Sequence, residues 1–560
     1  MDGIYSLLTE HWLPLRRRSG RIERVRPADV VSDHQGDPFV APAWGRADFD
    51  AATLEFLIGL LATAAAPQTR SDWARRYAAP PSAVELEAAF APFAEAFELL
   101  GAGARFGQDL DPLGDQDETP VSALLIEAPG ANTIKENKDL FQKRGQVPLL
   151  SRAAAAMALF TLQTYAPSGG AGHRTSMRGG GPLTTLLLPP EAGDAPATLW
   201  QRCWLNTPLA NEDEVPATDA LTLVFPWLAP TITSEGKVPH RVTPDSSHRL
   251  QAFWGLPRRL RLTEQPNAAR LACPVTGIVD EVIIIGLRTK PYGVSYDAFE
   301  HPLSPHYKAK ANDPVFLPVH PQPGGLSYRD WPDLVLTAKP MRVPAATVGE
   351  GLRRLDSLRL DRRDQRPRLS ATGYDMDNMK ARGFLEATMP VFLPPEQVRS
   401  QFEDIAAKLV EAATLAASLC VSNIRQATAG EHAEAKASPF QAMRERFFQE
   451  TEAVFYALLG DLERNFAALT AESDFDALRA VFGARWLTTL RTTALTLFDA
   501  HAPVEALPDR IVERAMVARR SLTSLFYGYG KMGTELFTAL GLPLPEAGKP
   551  RAARKTRSAT

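Results

Sequence analysis

The chain is poor in cysteine: Cys203, Cys273 and Cys420 are its only three, widely spaced in 560 residues. An odd, scattered set of thiols excludes a disulfide framework and fits a reducing compartment. A dominant charge of one sign is also missing, the formal net charge being −3. That excludes a wholesale polybasic protein but leaves room for local basic faces offset by acidic stretches such as residues 211–219. The first residues lack the charged-then-apolar order of a secretory signal, and no run nears the roughly 18 apolar residues of a membrane span. The expectation is a cytoplasmic protein with no membrane partner. Catalytic signatures are scarce too. The glycine-rich stretch lacks the Gly-Lys-Ser/Thr ending of an NTPase phosphate loop, and the chain has neither a glycine-x-serine-x-glycine elbow nor a His-Glu-x-x-His helix. His240, His248, His301, His306 and His320 form no tight ligand pair, and Cys273 stands alone beside them. No metal, no cofactor and no catalysis are expected.

What the chain does have is a glycine-rich segment, residues 165–190 (YAPSGGAGHRTSMRGGGPLTTLLLPP), with six glycines, Arg174, Arg178, His173 and several hydroxyls. Glycines this dense let backbone approach another molecule closely, and the basic side chains suggest a grip on phosphate or on a nucleic-acid groove. A solvated hairpin between an apolar run and a strand is the plain alternative. The length and the 45% hydrophobic and 23% charged composition predict a soluble protein of two or three domains. Helical spacing of apolar residues predicts core helices over residues 48–66, capped by Asp48 or Asp50, and 83–100. A basic run, Arg16, Arg17, Arg18, Arg21, Arg24 and Arg26, reads as an edge hairpin or a nucleic-acid contact. Residues 130–145 (GANTIKENKDLFQKRG) read as a surface loop with a helical turn, or as an arm wrapping a single strand with basic residues on phosphates and Phe141 stacked or anchored. Seven arginines in residues 353–368, interleaved with aspartates, hold a displaced strand or form a salt-bridged face. From residue 394 the apolar period becomes helical in four long segments, the second opened by Ser438 and Pro439 and the last reaching residue 529, which predicts a four-helix bundle. The fold expectation is therefore α+β, with a large mixed N-terminal domain (residues 1–393), an all-α four-helix bundle (394–545) and a disordered basic tail (546–560).

The order WLPLR, GANTIKENKDLFQKRG, ALFTLQTYAP leading into GGAGHRTSMRGGGPLTTLL, and GYDMDNMKARGF resembles the large (CasA) subunit of the type I-E CRISPR interference complex, Cascade. The resemblance implies a non-enzymatic subunit that partners guide RNA, double-stranded target DNA, other Cascade subunits and a helicase-nuclease. It recognises a short protospacer-adjacent motif (PAM), opens the duplex and supports R-loop formation. It implies a guide RNA handle site at Asn132, Lys135, Asn137, Lys138, Phe141 and Lys143. It places PAM reading from the minor groove at Gly169, Gly170, Ala171 and Gly172, assisted by Arg288 or Lys290. It puts a duplex-opening wedge at Asp377, Asn378 and Met379, with Lys380 and Arg382 beside the separating strands. Ala171 interrupts the family's usual glycine run. A metal-dependent nucleic-acid-processing enzyme and an RNA-binding scaffold that does not read DNA are the alternatives.

Overall fold

Apolar residues on nearly every side of the segment Ala47–Ala64 make it a helix that can only be buried, and Phe49, Ala52, Phe56, Leu57, Ile58, Leu60 and Leu61 are all in the core. The computed structural model describes residues 3–545 other than 141–142, 171, 192–195, 211–219, 237–239, 337–340, 359–365, 378, 430–437, 471, 504 and 506–508. Around Phe56 the rings of Trp12, Phe97, Phe106, Phe160 and Trp254 stand nearly edge-on at 5.4–6.0 Å, the arrangement that ring quadrupoles favour. A second buried helix, Arg152–Tyr165, packs on the first through its alanines. Its start is fixed by Ser151, whose hydroxyl accepts from the Ala154 N–H at 3.3 Å.

Two expectations about these helices are corrected. Neither Asp48 nor Asp50 caps Ala47–Ala64: Arg46 is the N-cap residue, without a side-chain cap bond. Asp48 instead pairs with Arg46 at 2.8 Å, and Asp50 accepts from the Trp44 N–H at 2.9 Å. The 83–100 helix is shorter than its period suggested. A capping box of Ser82 and Glu85 opens Ala83–Phe90, and the chain then tightens into a 3-10 turn over Ala91–Phe97 and a strand, Glu98–Leu100. Pro92, which has no N–H to donate, explains the break.

Three of the five antiparallel sheets among the described residues frame the glycine-rich segment and its neighbours. Leu13–Arg17 lies between Ile22–Val25 and Phe39–Pro42, so the N-terminal arginine run is a hairpin. Arg17 is buried there, bonded through two nitrogens to Glu23 (2.8 and 3.0 Å) and laid 4.0 Å over the Phe39 ring. Val282–Lys290 pairs with Arg259–Pro266, Glu118–Pro120 and Leu150–Ser151. Arg368–Asp377 is the middle strand between Lys380–Pro390 and Thr184–Leu188, the strand that leaves the glycine-rich segment.

The chain divides into two compact units, Met1–Leu326 with Asp333–Val391, and Ser327–Pro332 with the chain from Phe392 onward. The second unit is helical: Arg399–Thr428, Ser438–Phe466, Phe475–His501 and Asp509–Leu525 are the four long helices. A short fifth, Gly530–Ala539, was not foreseen. The last long helix stops before residue 529 because Gly528 and Gly530 take φ of +83° and +74°. Arg399–Thr428 packs on the other four, and Phe402, Ile405, Leu409, Ala413, Ala416, Leu419 and Ile424 line its buried side. Contrary to the sequence expectation, residues 396–428 are long and apolar enough to cross a membrane by length and composition. Their place at the bundle's centre accounts for that composition. The inserted Ser327–Pro332 contributes Tyr328, stacked 4.4 Å from Phe455, with its hydroxyl 2.7 Å from Thr451 Oγ1.

Candidate nucleic-acid interface

The glycine-rich segment is anchored from below by a buried ion pair. Glu55 and Arg178, 2% and 3% exposed, meet at 2.7 Å. Glu55 also accepts from the Thr184 hydroxyl (2.7 Å) and from the Tyr165 hydroxyl, while Arg178 donates to Thr184 Oγ1 (2.8 Å) and Ser304 Oγ (3.0 Å). Tyr165 opens the segment and Thr184 lies just past its last glycine, so one carboxylate ties both sides of the glycine loop to the central helix. The idea that Arg178 offers charge to a ligand is corrected, since its guanidinium is used inside the protein. Arg174 donates to Ser234 Oγ (2.8 Å) and to the Ser234 carbonyl oxygen (3.2 Å). Burial, and then the neighbouring Arg258 charge, hold the His173 imidazole below its usual value, so it is neutral at pH 7.

Most of the glycines face protein. A Cβ at Gly181 would fall 2.5 Å from the Tyr374 carbonyl oxygen, one at Gly179 2.5 Å from His320 Nε2, and one at Gly169 2.3 Å from Arg258 Nη1. Gly170 differs. Its Cβ would meet only the Met379 sulfur, at 3.6 Å, among the described residues, and its φ of +66° suits glycine. At Gly172 the ring of Tyr292 lies where a side chain would go, 2.8 Å from the Cβ position, and the Tyr292 N–H donates to the Gly172 carbonyl oxygen at 2.9 Å. The His173 N–H closes the turn on the Gly170 carbonyl oxygen at 2.7 Å. Ala171 lies outside the described residues.

Tyr292 is joined through Pro291 to Lys290, the last residue of its strand. Lys290 is 3.2 Å from Asp115 in an exposed ion pair, of the kind worth about 0–1 kcal/mol and readily exchanged. Arg288 lies one β-step back, on the same side of the strand, opposite Glu118 and Arg261, with Nε buried and without a hydrogen bond. The strand thus delivers Lys290, nearer in sequence than Arg288 to the residue that covers Gly172.

The hairpin places Met379 at its turn. Asp377 pairs with Lys380 as the final rung, and Met379 lies in the turn. Met379 is 52% exposed and Asn378 lies outside the described residues. Asp377 is the last residue of its strand, next to the turn, with its carboxylate 3.8 Å from Arg382. Arg382 donates to both Asp375 oxygens at 3.0 and 2.6 Å, a half-exposed pair beside the turn. Lys380 is exposed. At the root of the hairpin, the Tyr374 hydroxyl donates to Asp48 at 2.7 Å and its ring meets Tyr165 at 5.9 Å. Loop and hairpin therefore share one foundation.

The segment foreseen as the guide RNA handle site is a separate exposed ledge. Ala131–Lys135 is a short helix, and Asn132, Lys135, Asn137, Lys138 and Lys143 are all exposed. Phe141 lies outside the described residues. Lys138 pairs with Glu136. Arg144 clasps the segment, donating to Asp139 (2.6 and 2.8 Å), to Asn137 Oδ1 (2.9 Å) and to the Ile134 carbonyl oxygen (3.0 Å). The Asn137 oxygen is thus used internally, which narrows its expected role to its amide nitrogen. No hydrogen bond or ion pair among the described residues joins this ledge to the glycine loop.

In the later arginine run, Arg353 pairs with Glu350 (2.8 Å), Arg354 is buried on the Leu205 and Thr207 carbonyl oxygens, and Arg368 pairs with Glu191. Those described arginines behave as internal and salt-bridged charges. Among the described residues no three His, Cys, Asp or Glu side chains converge as a metal site. Sequence reasoning missed Tyr292 and Arg258. The signals were there: an aromatic between Pro291 and Gly293 just past a basic strand end, and a pair of arginines at the mouth of the Arg259–Pro266 strand.

Residues 6–497 match the family described as CRISPR-associated protein Cse1. The fold is similar to that of Thermobifida fusca Cse1 (TM-score 0.65, 17% identity, covering 96% of this chain and 99% of that one). It is also similar to Thermus thermophilus CasA (Cse1), at TM-score 0.60 and 18% identity over 96% and 99% of the two chains. A chain of a structure described as a CRISPR RNA-guided surveillance complex matches at TM-score 0.62 and 16% identity, over 93% of this chain and 100% of that one. With the family matched over nearly its whole length, this chain belongs to the CRISPR-associated Cse1 (CasA) family, the large subunit of type I-E Cascade.

Proposed function

We propose that the protein is the motif-reading subunit of a cytoplasmic guide-RNA surveillance complex. In this reading it binds double-stranded DNA by laying a minor groove on Gly170, with Lys290 reaching toward base edges, and opens the first base pairs with Met379 at the hairpin turn, aided by Asn378. The observation that carries it is the meeting of three segments distant in sequence: Met379 stands 3.6 Å from the Cβ position of Gly170, and Tyr292, two residues past Lys290, covers Gly172. A glycine without a side chain, a thioether and a mobile ammonium form a surface suited to close backbone approach and to unstacking by an apolar wedge. Because the minor groove presents a degenerate pattern, so small a surface accepts several related motifs. Lys290 is favoured over Arg288 because it ends the strand beside the loop. The exposed ledge of Asn132, Lys135, Lys138 and Lys143 suits phosphates and splayed bases of the guide RNA handle, which would dock the subunit on the complex. Other Cascade subunits and a helicase-nuclease are the remaining partners in this reading, and the subunit itself is not an enzyme.

The test is footprinting of DNA by the assembled guide complex, with and without this chain, on targets that carry or lack the motif. Motif-dependent protection should vanish without the chain, and unchanged protection would overturn the reading. Strand cleavage by the isolated chain with divalent metal would instead support an enzyme.

A further inference from the structure

Against the loop lies a cation that no carboxylate neutralises among the described residues. Arg258 is half-buried directly behind Gly169. Its Nη2 donates to the Pro167 carbonyl oxygen, and its Nε is buried without a hydrogen bond. Of the other arginines of this unit that are withdrawn from solvent, Arg178 has Glu55, Arg152 has Asp280 and Arg259 has Asp109, while Arg202 and Arg261, like Arg258, have no ion pair among the described residues. No ion pair joins Arg258 to any carboxylate among the described residues. Its titratable neighbour, His173, offers no negative charge. Burial pushes the Arg258 pKa down to about 10, which leaves it charged at neutral pH. A charge withdrawn from water without a counter-ion is costly, and an incoming anion removes that cost.

The geometry indicates how an anion would arrive. Nη1 lies 2.3 Å and the His173 Cβ 2.5 Å from the position a Cβ at residue 169 would take, so only a glycine lets the half-buried guanidinium lie this close to the loop backbone. The neighbouring Gly170 and Met379 form the surface assigned above to the DNA groove. The rim of a groove is phosphodiester, and a planar guanidinium matches it with parallel N–H donors.

We propose that Arg258 is a phosphate-binding residue that contacts one phosphodiester of the target duplex beside Gly169. The proposal rests on the DNA-reading role of the loop. It adds a sequence-independent contact that holds the groove in register while Gly170, Lys290 and Met379 act on the bases.

The experiment measures the affinity of the assembled complex for motif-bearing and motif-free duplexes between 50 and 300 mM salt, with the unaltered chain, R258Q and R258K. One phosphate contact contributes about 0.9 to the slope of log affinity against log salt. R258Q should lower that slope by about that amount on both duplexes, leaving the motif preference intact, and R258K should retain the slope. An unchanged slope in R258Q, loss confined to motif-bearing DNA, or an equal loss in assembly on guide RNA would each overturn the proposal. Should R258Q not assemble, R258K carries the test: a slope kept with a few-fold weaker affinity supports the contact, and a slope lower by about one contradicts it. If the unaltered chain gives no motif preference at all, it is the parent reading that fails.

Discussion

Replacing Arg178 with methionine should unmoor the glycine loop. Arg178 is 3% exposed and Glu55 2%, so the substitution leaves a carboxylate in the core with only the Tyr165 and Thr184 hydroxyls as donors. Removing one partner of a buried pair costs about 3–5 kcal/mol, a large part of the 5–15 kcal/mol by which a domain is typically stable. Urea unfolding of the isolated chain, followed by tryptophan fluorescence, should report that loss. R178K should lose less, since it keeps the charge while giving up the fork that reaches Thr184 and Ser304 together. In R178M/E55Q the two losses should not add: the double variant should be more stable than their sum by about 1–3 kcal/mol, because each substitution relieves the other's stranded charge. The functional consequence is read by trypsin. With the Arg178 bonds to Glu55, Thr184 and Ser304 gone, the loop is held by fewer contacts, and cleavage after Arg174 should accelerate in R178M relative to sites in the helical unit. A cost below about 1 kcal/mol, strict additivity, or unchanged cleavage at Arg174 would refute the reasoning.

Changing Asn378 and Met379 together to alanine should weaken binding to intact duplex while a pre-melted target is largely rescued, and an equal loss on both would reject the wedge. Tyr292→Gly removes the ring from Gly172 and suits the φ of +64°, so stability should change by less than about 1 kcal/mol while motif preference falls, as seen by competition binding. Unchanged preference would show that the covering ring has no part in reading. His306 is buried, and burial, then the Arg178 charge, lower its pKa from 6.5 to about 4. The unfolded chain therefore binds the extra proton first, so stability should fall as pH drops from about 6.5 to 4, by up to about 3 kcal/mol from this residue. H306N should flatten that part of the pH–stability curve, and an identical curve would contradict the assignment.

The periodic parts of the chain were readable in the sequence because period alone decides them. The helices from Arg399 onward follow from Phe402, Ile405, Leu409 and Ala413 recurring on one face, whereas the hairpin around Met379 was expected only from the family resemblance. What could not be read was the use to which each polar residue is put. Arg178 and Arg174 look alike in GGAGHRTSMRGGG, yet one is sealed against Glu55, 123 positions away, and the other rests on Ser234. Pairings of that kind are properties of the folded chain. The same limit hid Tyr292 and Arg258, whose importance comes from lying on Gly172 and Gly169. It also made six glycines look like one binding surface, when most are close-packing points and Gly170 is the one facing little but Met379.

The central claim, that loop and hairpin together read and open DNA, is tested most directly by a 2-aminopurine placed in the first base pair beside the motif. On binding of the complete guide complex its fluorescence should rise for a motif-bearing duplex, and the rise should be lost when Gly170 is changed to valine or Met379 to alanine. A rise that is equal without this chain, or that survives both substitutions, would contradict the account.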